Sequence, residues 1–339
     1  MRTFSGLRRD ALKVAAVACA LGLAGPVWAA KHVIKVSHAV TVNHPGHKAM
    51  LKFKEKVEAE SKGQIEVRIF HSSQLAGQRE GVEGLQAGSI EITLTPNGVA
   101  AAFDPTFALL DIPFQFDSAA HARKFLDNGG EKMLFANLGK VGLVGLAAWE
   151  QGFRNLATVK APAMKAADMQ GLKLRTMEAP LHITAWKAVG ANPTPIGWAQ
   201  VYTSLQQGII DGVENPSYIF SQTPVHEQLK FLTLTKHIYD PILVLGSKAF
   251  FDKLPADLRT LVFNSLSSLT PLERQYVDED VVKAETRDLP GFGVKVMDMP
   301  AANMAELAKA SQPPVIKDVE RRVGAPALQA WQSAVNAAR

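Results

Sequence analysis

Residues 171–216 read GLKLRTMEAPLHITAWKAVGANPTPIGWAQVYTSLQQGIIDGVENP, and this stretch decides the expected fold. Leu172 and Leu174 alternate with polar neighbours, which predicts a strand that ends at Arg175. Pro180 suits the first turn of the helix that follows, because its fixed φ is already helical. The order of strand, helix and strand is typical of an α/β protein.

A second helix and a second strand end complete this stretch. The residues at helical spacing are Trp198, Val201, Tyr202 and Leu205. IIDGVENP then predicts a short strand that leads to Asn215. Because open α/β sheets bind ligands at the carboxyl ends of their strands, we expect Arg175 and Asn215 to face one cleft.

Four motifs in this order, GLKxR, GAxPTP, W-x-x-VYxxLQQG and DGxENP, carry a family resemblance. The sequence resembles the solute-binding subunits of TRAP (tripartite ATP-independent periplasmic) transporters over almost the whole chain after the N-terminal segment. The resemblance implies two α/β lobes with mainly parallel sheets, crossing hinge strands and a long C-terminal helix across both lobes. It also implies capture of a small organic carboxylate between the lobes and delivery to TRAP membrane permease subunits. Only the resemblance favours a TRAP protein over the binding protein of an ATP-driven importer.

Residues 1–29 have the pattern of a cleavable export signal, which predicts a periplasmic protein. A basic segment precedes the apolar run Val14–Ala24, which is too short to span a membrane. Cleavage is expected after Ala29, or else after Ala30. Arg8 and Arg9 are compatible with twin-arginine export, and an ordinary Sec signal fits equally well.

Composition narrows the class of function. The formal net charge is +5, of which residues 1–29 contribute +3, leaving +2 for the mature chain. No basic stripe with interleaved aromatic residues predicts nucleic-acid binding. The single cysteine, Cys19, lies in the signal, so no disulfide or cysteine metal site is expected. His44 and His47 lack an evident third ligand, and we expect no metal, no cofactor and a monomer.

About 310 mature residues predict two lobes. Lobe I is expected to hold residues 30–152 plus 241–270, and lobe II residues 153–240 plus 271–339. GLVGLAAW (142–149) predicts a central strand, FLTLT an edge strand of lobe II, and PILVLGSKAF (241–250) a strand returning to lobe I. From Leu254 a long helix is expected. Its TPLE segment resembles a capping box, so either a break near residue 270 or a kinked rod is possible, and we favour the rod.

Arg175 is the leading candidate for ligand binding. Its guanidinium can pair bidentately with a carboxylate. A salt-bridge arginine would have the same sequence pattern, and the match to the family's carboxylate-binding arginine favours the site. Arg154 resembles a second arginine of the family, or else is an ordinary loop arginine.

Asn215 matches the family's amide that bonds the same carboxylate, and Glu214 is expected to orient Arg175. Trp198 matches an aromatic position over the ligand, and Trp149 ends a central strand in a similar way. Core packing is the alternative for both tryptophans.

Three polar residues of the first lobe, Gln78, Asn97 and His38, align with family positions that contact ligand. Each fits a helix start, a turn or a loop equally well. Pro96 and Val99 stand where sialic-acid-binding relatives have a glutamate and an arginine, so a nine-carbon sugar acid is not expected.

The expected ligands are C4-dicarboxylates, short 2-oxo or 2-hydroxy acids, small aromatic acids and, after these, hexuronates. Two other functions stay open from the sequence: a periplasmic enzyme acting on a small organic acid, and a ligand-binding subunit for a sensor. The absence of the G-x-S-x-G, H-E-x-x-H, P-loop and G-x-G-x-x-G patterns disfavours the enzyme.

Overall fold

The computed structural model describes residues 31–339, so the expected export signal, its cleavage positions and Cys19 lie outside the described residues. The strands in this part of the chain are β1 (His32–His38), β2 (Ile65–Phe70), β3 (Ile92–Pro96), β4 (Leu143–Thr158), β5 (Lys173–Thr176), β6 (Asn192–Pro195), β7 (Gly212–Pro216), β8 (Phe231–Ser247) and β9 (Lys295–Asp298).

The strands form a mixed sheet in the order β2-β1-β3-β8-β4-β7-β5-β6, with β9 paired to β8. Pairings away from the centre are parallel: β1 with β2 and β3, β5 with β6 and β7, and β8 with β9. The antiparallel pairings are β3 with β8, β4 with β7, and the two long central strands β4 and β8 with each other. The expected parallel sheets therefore flank an antiparallel centre.

Strands β4 and β8 each run through both lobes, which confirms the crossing strands. The expected central strand 142–149 is longer than predicted, because β4 continues to Thr158. FLTLT and the first seven residues of PILVLGSKAF are likewise parts of one strand, β8, and the helix Lys248–Phe251 begins where this strand ends. FLTLT is not an edge strand, since it pairs with β4 on one side and β9 on the other.

Helices cover the sheet. The α-helices are α1 (Pro45–Glu60), α2 (Gln78–Ala87), α3 (Asn97–Ala100), α4 (Ala119–Phe125), α5 (Glu131–Phe135), α6 (Pro180–Ala188), α7 (Val201–Gln206), α8 (Ser217–Ser221), α9 (Lys248–Phe251), α10 (Ala256–Ser268), α11 (Thr270–Lys283), α12 (Leu289–Gly291), α13 (Ala301–Val323) and α14 (Ala325–Ala337). The 3₁₀ turns are Pro105–Asp111, Leu138–Val141, Ala166–Met169, Trp198–Gln200 and Pro224–Gln228, and the π turns are Leu126–Gly130 and Ala284–Asp288. No helix among residues 31–339 is both long and apolar enough to cross a bilayer.

Helices α10 and α11 form the expected long helix across both lobes. Val262 of α10 packs in the lobe I core, whereas Val277 of α11 packs in a lobe II core. The helices meet at Leu269, whose φ of −89° and ψ of −10° stay in the right-handed helical region, so the interruption is one residue long. The expected capping box does not form, because the buried Glu273 carboxylate accepts a hydrogen bond from the Glu150 backbone N–H at 2.9 Å.

The C-terminal helices pack differently from the expectation that residues 271–339 belong to lobe II. Trp331 of α14 lies 4.6 Å, centroid to centroid, from Phe125, and its Nε1 donates to the Gln115 Oε1 at 2.9 Å. Val315 and Val319 join the same lobe I cluster. The exact lobe boundaries stay a prediction.

The lobes touch each other in this structure. Tyr218 of lobe II lies 3.1 Å from His44 Nε2 of lobe I. Gly98 of lobe I lies so close to lobe II that a Cβ there would come within 2.9 Å of the Ala179 Cβ. The cleft between the lobes is therefore narrow and shielded.

Candidate functional site

Arg175 lies at the carboxyl end of β5, the strand that β6 and β7 flank in parallel. The residue is 1% exposed. Its Nε donates to the Ile196 carbonyl oxygen at 2.7 Å, but Nη1 has no hydrogen-bond partner among residues 31–339. Its guanidinium carbon lies 5.5 Å from the centroid of the Trp198 ring, within cation–π range. The local sequence therefore places a buried cation with an unused donor at a strand end.

The electrostatic surroundings of Arg175 do not compensate its charge. Burial lowers the pKa of Arg175 from its ordinary value to about 9, and the negative charge of Glu214 opposes this only in part. A buried charge without a partner is costly, and natural proteins retain such charges mainly at functional sites. The guanidinium is suited to receive an anion.

A small cavity between the lobes adjoins Arg175. It encloses about 310 Å³, counting space open to solvent. Its lining residues are Ala39, Val40, Gln78, Pro96, Gln151, Arg175, Met177, Trp198, Asn215 and Ile219. Four residues expected at the site thus share one cavity: Gln78, Arg175, Trp198 and Asn215.

Gln151 is a lining residue that sequence reasoning missed. It is 2% exposed, and its Oε1 has no hydrogen-bond partner within residues 31–339. The register of β4 against β8 shifts between Glu150 and Gly152, and Gly152 has a φ of +91°. Such a bulge re-aims a side chain. Two polar residues and a glycine directly after the apolar run 143–149 were the available signal.

A second cavity lies beside the first and shares Ala39, Gln78 and Trp198 with it. It encloses about 660 Å³, again counting space open to solvent. Glu80 and Glu178, both exposed, line this second cavity. The first cavity, which Arg175 adjoins, is called the inner cavity below. The second cavity forms its mouth, and the two carboxylates make this mouth negatively charged.

Arg154 is buried but does not line the inner cavity, because other residues occupy its donors. Its Nε pairs with the Glu214 carboxylate, and its Nη1 donates to Asp240 Oδ2 at 2.5 Å. Nη2 donates to the backbone and side-chain oxygens of Glu214 at 2.7 and 3.0 Å. Burial disfavours the cation, yet both carboxylates outweigh it and raise the pKa of Arg154.

Glu214 pairs with Arg154 and two histidines, and no hydrogen bond joins it to Arg175. His182 Nδ1 lies 3.5 Å from one Glu214 oxygen, and His237 Nε2 lies 3.2 Å from the other. His182 also contacts the Asp111 carboxylate of lobe I at 3.4 Å. Glu214 therefore acts on Arg175 through its charge, while its direct role is to organise a buried network between the lobes.

Three further expected site residues are occupied elsewhere. Trp149 is fully buried in the lobe I core with Phe53. The Asn97 amide donates to the Phe107 carbonyl oxygen at 2.9 Å and to Asp111 Oδ1 at 2.8 Å. The residues Trp149, Asn97 and His38 do not line the inner cavity.

His38 belongs to a histidine group in lobe I. Its Nε2 lies 3.1 Å from His47 Nδ1, and its Nδ1 lies 3.1 Å from the Val40 carbonyl oxygen. Burial, reinforced by the nearby His47, lowers the pKa of His38 to about 3, so the ring is neutral. Among residues 31–339, no three histidine, cysteine or carboxylate side chains are grouped to hold a metal ion.

Comparison with known proteins gives the family. Residues 36–321 match the family described as bacterial extracellular solute-binding protein, family 7 (DctP). The chain is 37% identical over 309 residues to a solute-binding protein of Verminephrobacter eiseniae, covering 90% of each chain. It is 31% identical to the C4-dicarboxylate-binding periplasmic protein DctP of Rhodobacter capsulatus, covering 95% of this chain and 96% of that one.

A solved structure agrees with these relatives. The sugar acid binding protein DctPAm from Advenella mimigardefordensis, in complex with galactonate, superposes with a TM-score of 0.87 at 27% identity, covering 92% of this chain and 100% of that one. The two lobes, the crossing strands and the long helix therefore have a counterpart in an organic-acid-binding protein. The chain belongs to family 7 of the bacterial extracellular solute-binding proteins, the organic-acid-binding proteins of TRAP transporters.

Proposed function

We propose that this protein binds a small organic acid in the inner cavity, with the ligand carboxylate on Arg175. The hinge strands β4 and β8 then close the lobes, and the closed complex delivers the acid to TRAP membrane permease subunits. The observation that carries the proposal is the buried Arg175 guanidinium, whose Nη1 has no partner among residues 31–339 and which adjoins a cavity.

A carboxylate satisfies this site better than any other common small-molecule group. Its two oxygens accept parallel hydrogen bonds from a guanidinium, and its negative charge compensates the positive charge of the buried Arg175. The side-chain amides of Asn215 and Gln78 line the same cavity and can donate to carboxylate oxygens. Trp198 holds the guanidinium from one side and offers an apolar face to the ligand's carbon chain.

Binding without turnover is supported by the lining of the inner cavity. Apart from Arg175, its side chains are amides, apolar groups and one indole. Nucleophilic and acid–base catalysis commonly use a hydroxyl, thiol, amine, carboxylate or imidazole group at the reacting atoms. Within residues 31–339 the lining of this cavity offers none of these groups.

Export and delivery follow from the proposed class of protein. The basic and apolar pattern of residues 1–29 supports transfer to the periplasm. Closure around the acid would give the permease a surface that differs between the loaded and empty protein. The two fully buried arginines, Arg154 and Arg175, would then have separate roles: Arg154 joins the strands, and Arg175 binds the ligand.

A thermal-shift screen of carboxylic acids against their neutral primary amides tests this function. Acid at about one hundred times its dissociation constant should add roughly 2.7 kcal/mol to the stability, and the matched amide should add little. Solution scattering should show compaction with the same acid, and mass spectrometry should recover that acid unchanged. Equal stabilisation by amides or by neutral sugars, with no response to acids, would refute the proposal.

A further inference from the structure

The inner cavity offers one cation with an unused donor. Arg175 keeps Nη1 without a partner among residues 31–339, whereas each nitrogen of Arg154 bonds to Glu214 or Asp240. The other lining side chains are uncharged. Amides can bond a second carboxylate, but they leave its charge uncompensated in a shielded cavity.

The mouth of the site disfavours a second negative charge as well. Glu80 and Glu178 line the second cavity, which adjoins the inner cavity beside Arg175. Both are exposed, so their fields are weakened by water and salt but keep their sign. A dianion would meet two carboxylates on entry and a single free guanidinium inside.

Gln151 adds a requirement for a hydrogen-bond donor on the ligand. Its Oε1 is buried without a partner among the described residues, and the side chain lines the cavity that Arg175 adjoins. A carbonyl oxygen accepts hydrogen bonds and cannot donate one. A ligand hydroxyl can donate to it, whereas an ionised carboxylate can only repel it. Leaving such an oxygen unsatisfied after closure would cost affinity.

We propose that the site selects monocarboxylic acids that carry hydroxyl groups, and that Gln151 is a specificity-determining residue that accepts a hydrogen bond from a ligand hydroxyl. This inference rests on the proposed function, since it assumes the carboxylate lies on Arg175. The sequence left C4-dicarboxylates and short 2-hydroxy acids side by side among the expected ligands, and this inference favours hydroxylated monocarboxylates over dicarboxylates.

Calorimetric titration with acids of equal chain length tests the selectivity directly. The probes are aldonates of four to six carbons, starting with D-erythronate, each paired with the dicarboxylate of the same length, starting with succinate. We expect the preferred aldonate to bind at least tenfold more tightly than its dicarboxylate. Equal or tighter binding of the dicarboxylate overturns this inference alone. No binding of any acid overturns the proposed function together with it.

The variant Gln151→Met tests the residue, because methionine keeps the side-chain length and removes the acceptor. The aldonate should bind on the order of tenfold more weakly, and the aldonate-to-dicarboxylate preference should fall by the same factor. Gln222→Met is the matched control. Gln222 also has a buried Oε1 without a partner among residues 31–339, but it lies outside the cavity, so its variant should keep the preference. Equal weakening of both acid classes by Gln151→Met, or no change, overturns the assignment. If Gln151→Met does not fold, the wild-type comparison decides.

Discussion

Replacing Arg175 by methionine removes the charge and keeps an unbranched side chain of similar reach. The arginine is 1% exposed, so a carboxylate that pairs with it is shielded from water in the closed protein. Removing one partner of a buried charge pair costs about 2–5 kcal/mol. The dissociation constant for the preferred acid should therefore rise roughly 30-fold to several thousand-fold.

The same substitution should stabilise the ligand-free protein. Burial lowers the pKa of Arg175 to about 9, well below the ordinary arginine pKa that the unfolded chain has. At pH 7 the group is charged in both states, so the folded state carries the full cost of the buried charge. The lowered pKa corresponds to a cost of at most about 5 kcal/mol. Opening of the cleft lets water reach the Arg175 guanidinium, which makes the stability gained by Arg175→Met smaller.

Arg154→Met is the matched control, because Arg154 is equally buried but fully paired. Its loss leaves Glu214 and Asp240 without their cation and should destabilise the fold by about 3–5 kcal/mol. Urea unfolding at pH 7 compares the two variants, and calorimetry measures the affinity of Arg175→Met. Near wild-type affinity in Arg175→Met, or a destabilisation equal to that of Arg154→Met, would refute the reasoning.

Two further predictions concern the buried network and the tryptophans. Burial disfavours protonated His182, but the carboxylates of Asp111 and Glu214 outweigh burial and raise the pKa of His182 from 6.5 to about 9. Up to about 3 kcal/mol of folding stability is therefore present below pH 6.5 and lost as the pH rises through 9. His182→Gln should remove this slope in urea unfolding between pH 6 and 9.5, and an unchanged slope would contradict the assignment. Trp198→Phe should abolish most of the ligand-induced fluorescence change, while Trp149→Phe, in the lobe I core, should retain it; the opposite pattern would place the ligand away from Trp198.

Local sequence patterns were sufficient for the elements that present the site. The alternation in GLKLR predicted a strand ending at Arg175, and β5 spans Lys173–Thr176. Proline at the helix start predicted the following helix, which begins at Pro180. These features depend on φ restriction and on apolar periodicity, which act over a few residues. The family motifs added the two-lobed arrangement and the class of ligand.

Only the tertiary structure distinguished the two arginines. Arg154 and Arg175 look alike in sequence, yet Arg154 meets Glu214 and Asp240, which are 60 and 86 residues further along the chain. The direction of the Gln151 side chain depends in the same way on a bulge between β4 and β8.

The burial of Trp149 likewise depends on helices and strands from distant parts of the chain. Which charge is neutralised, and which polar atom stays unpaired beside a cavity, follows from contacts between residues far apart in sequence. Periodicity within one segment carries no information about such contacts, because it fixes only the side of an element on which a residue lies. The sequence by itself thus determined the elements around Arg175 and the family, and the packing of the elements determined which residues remain free to bind.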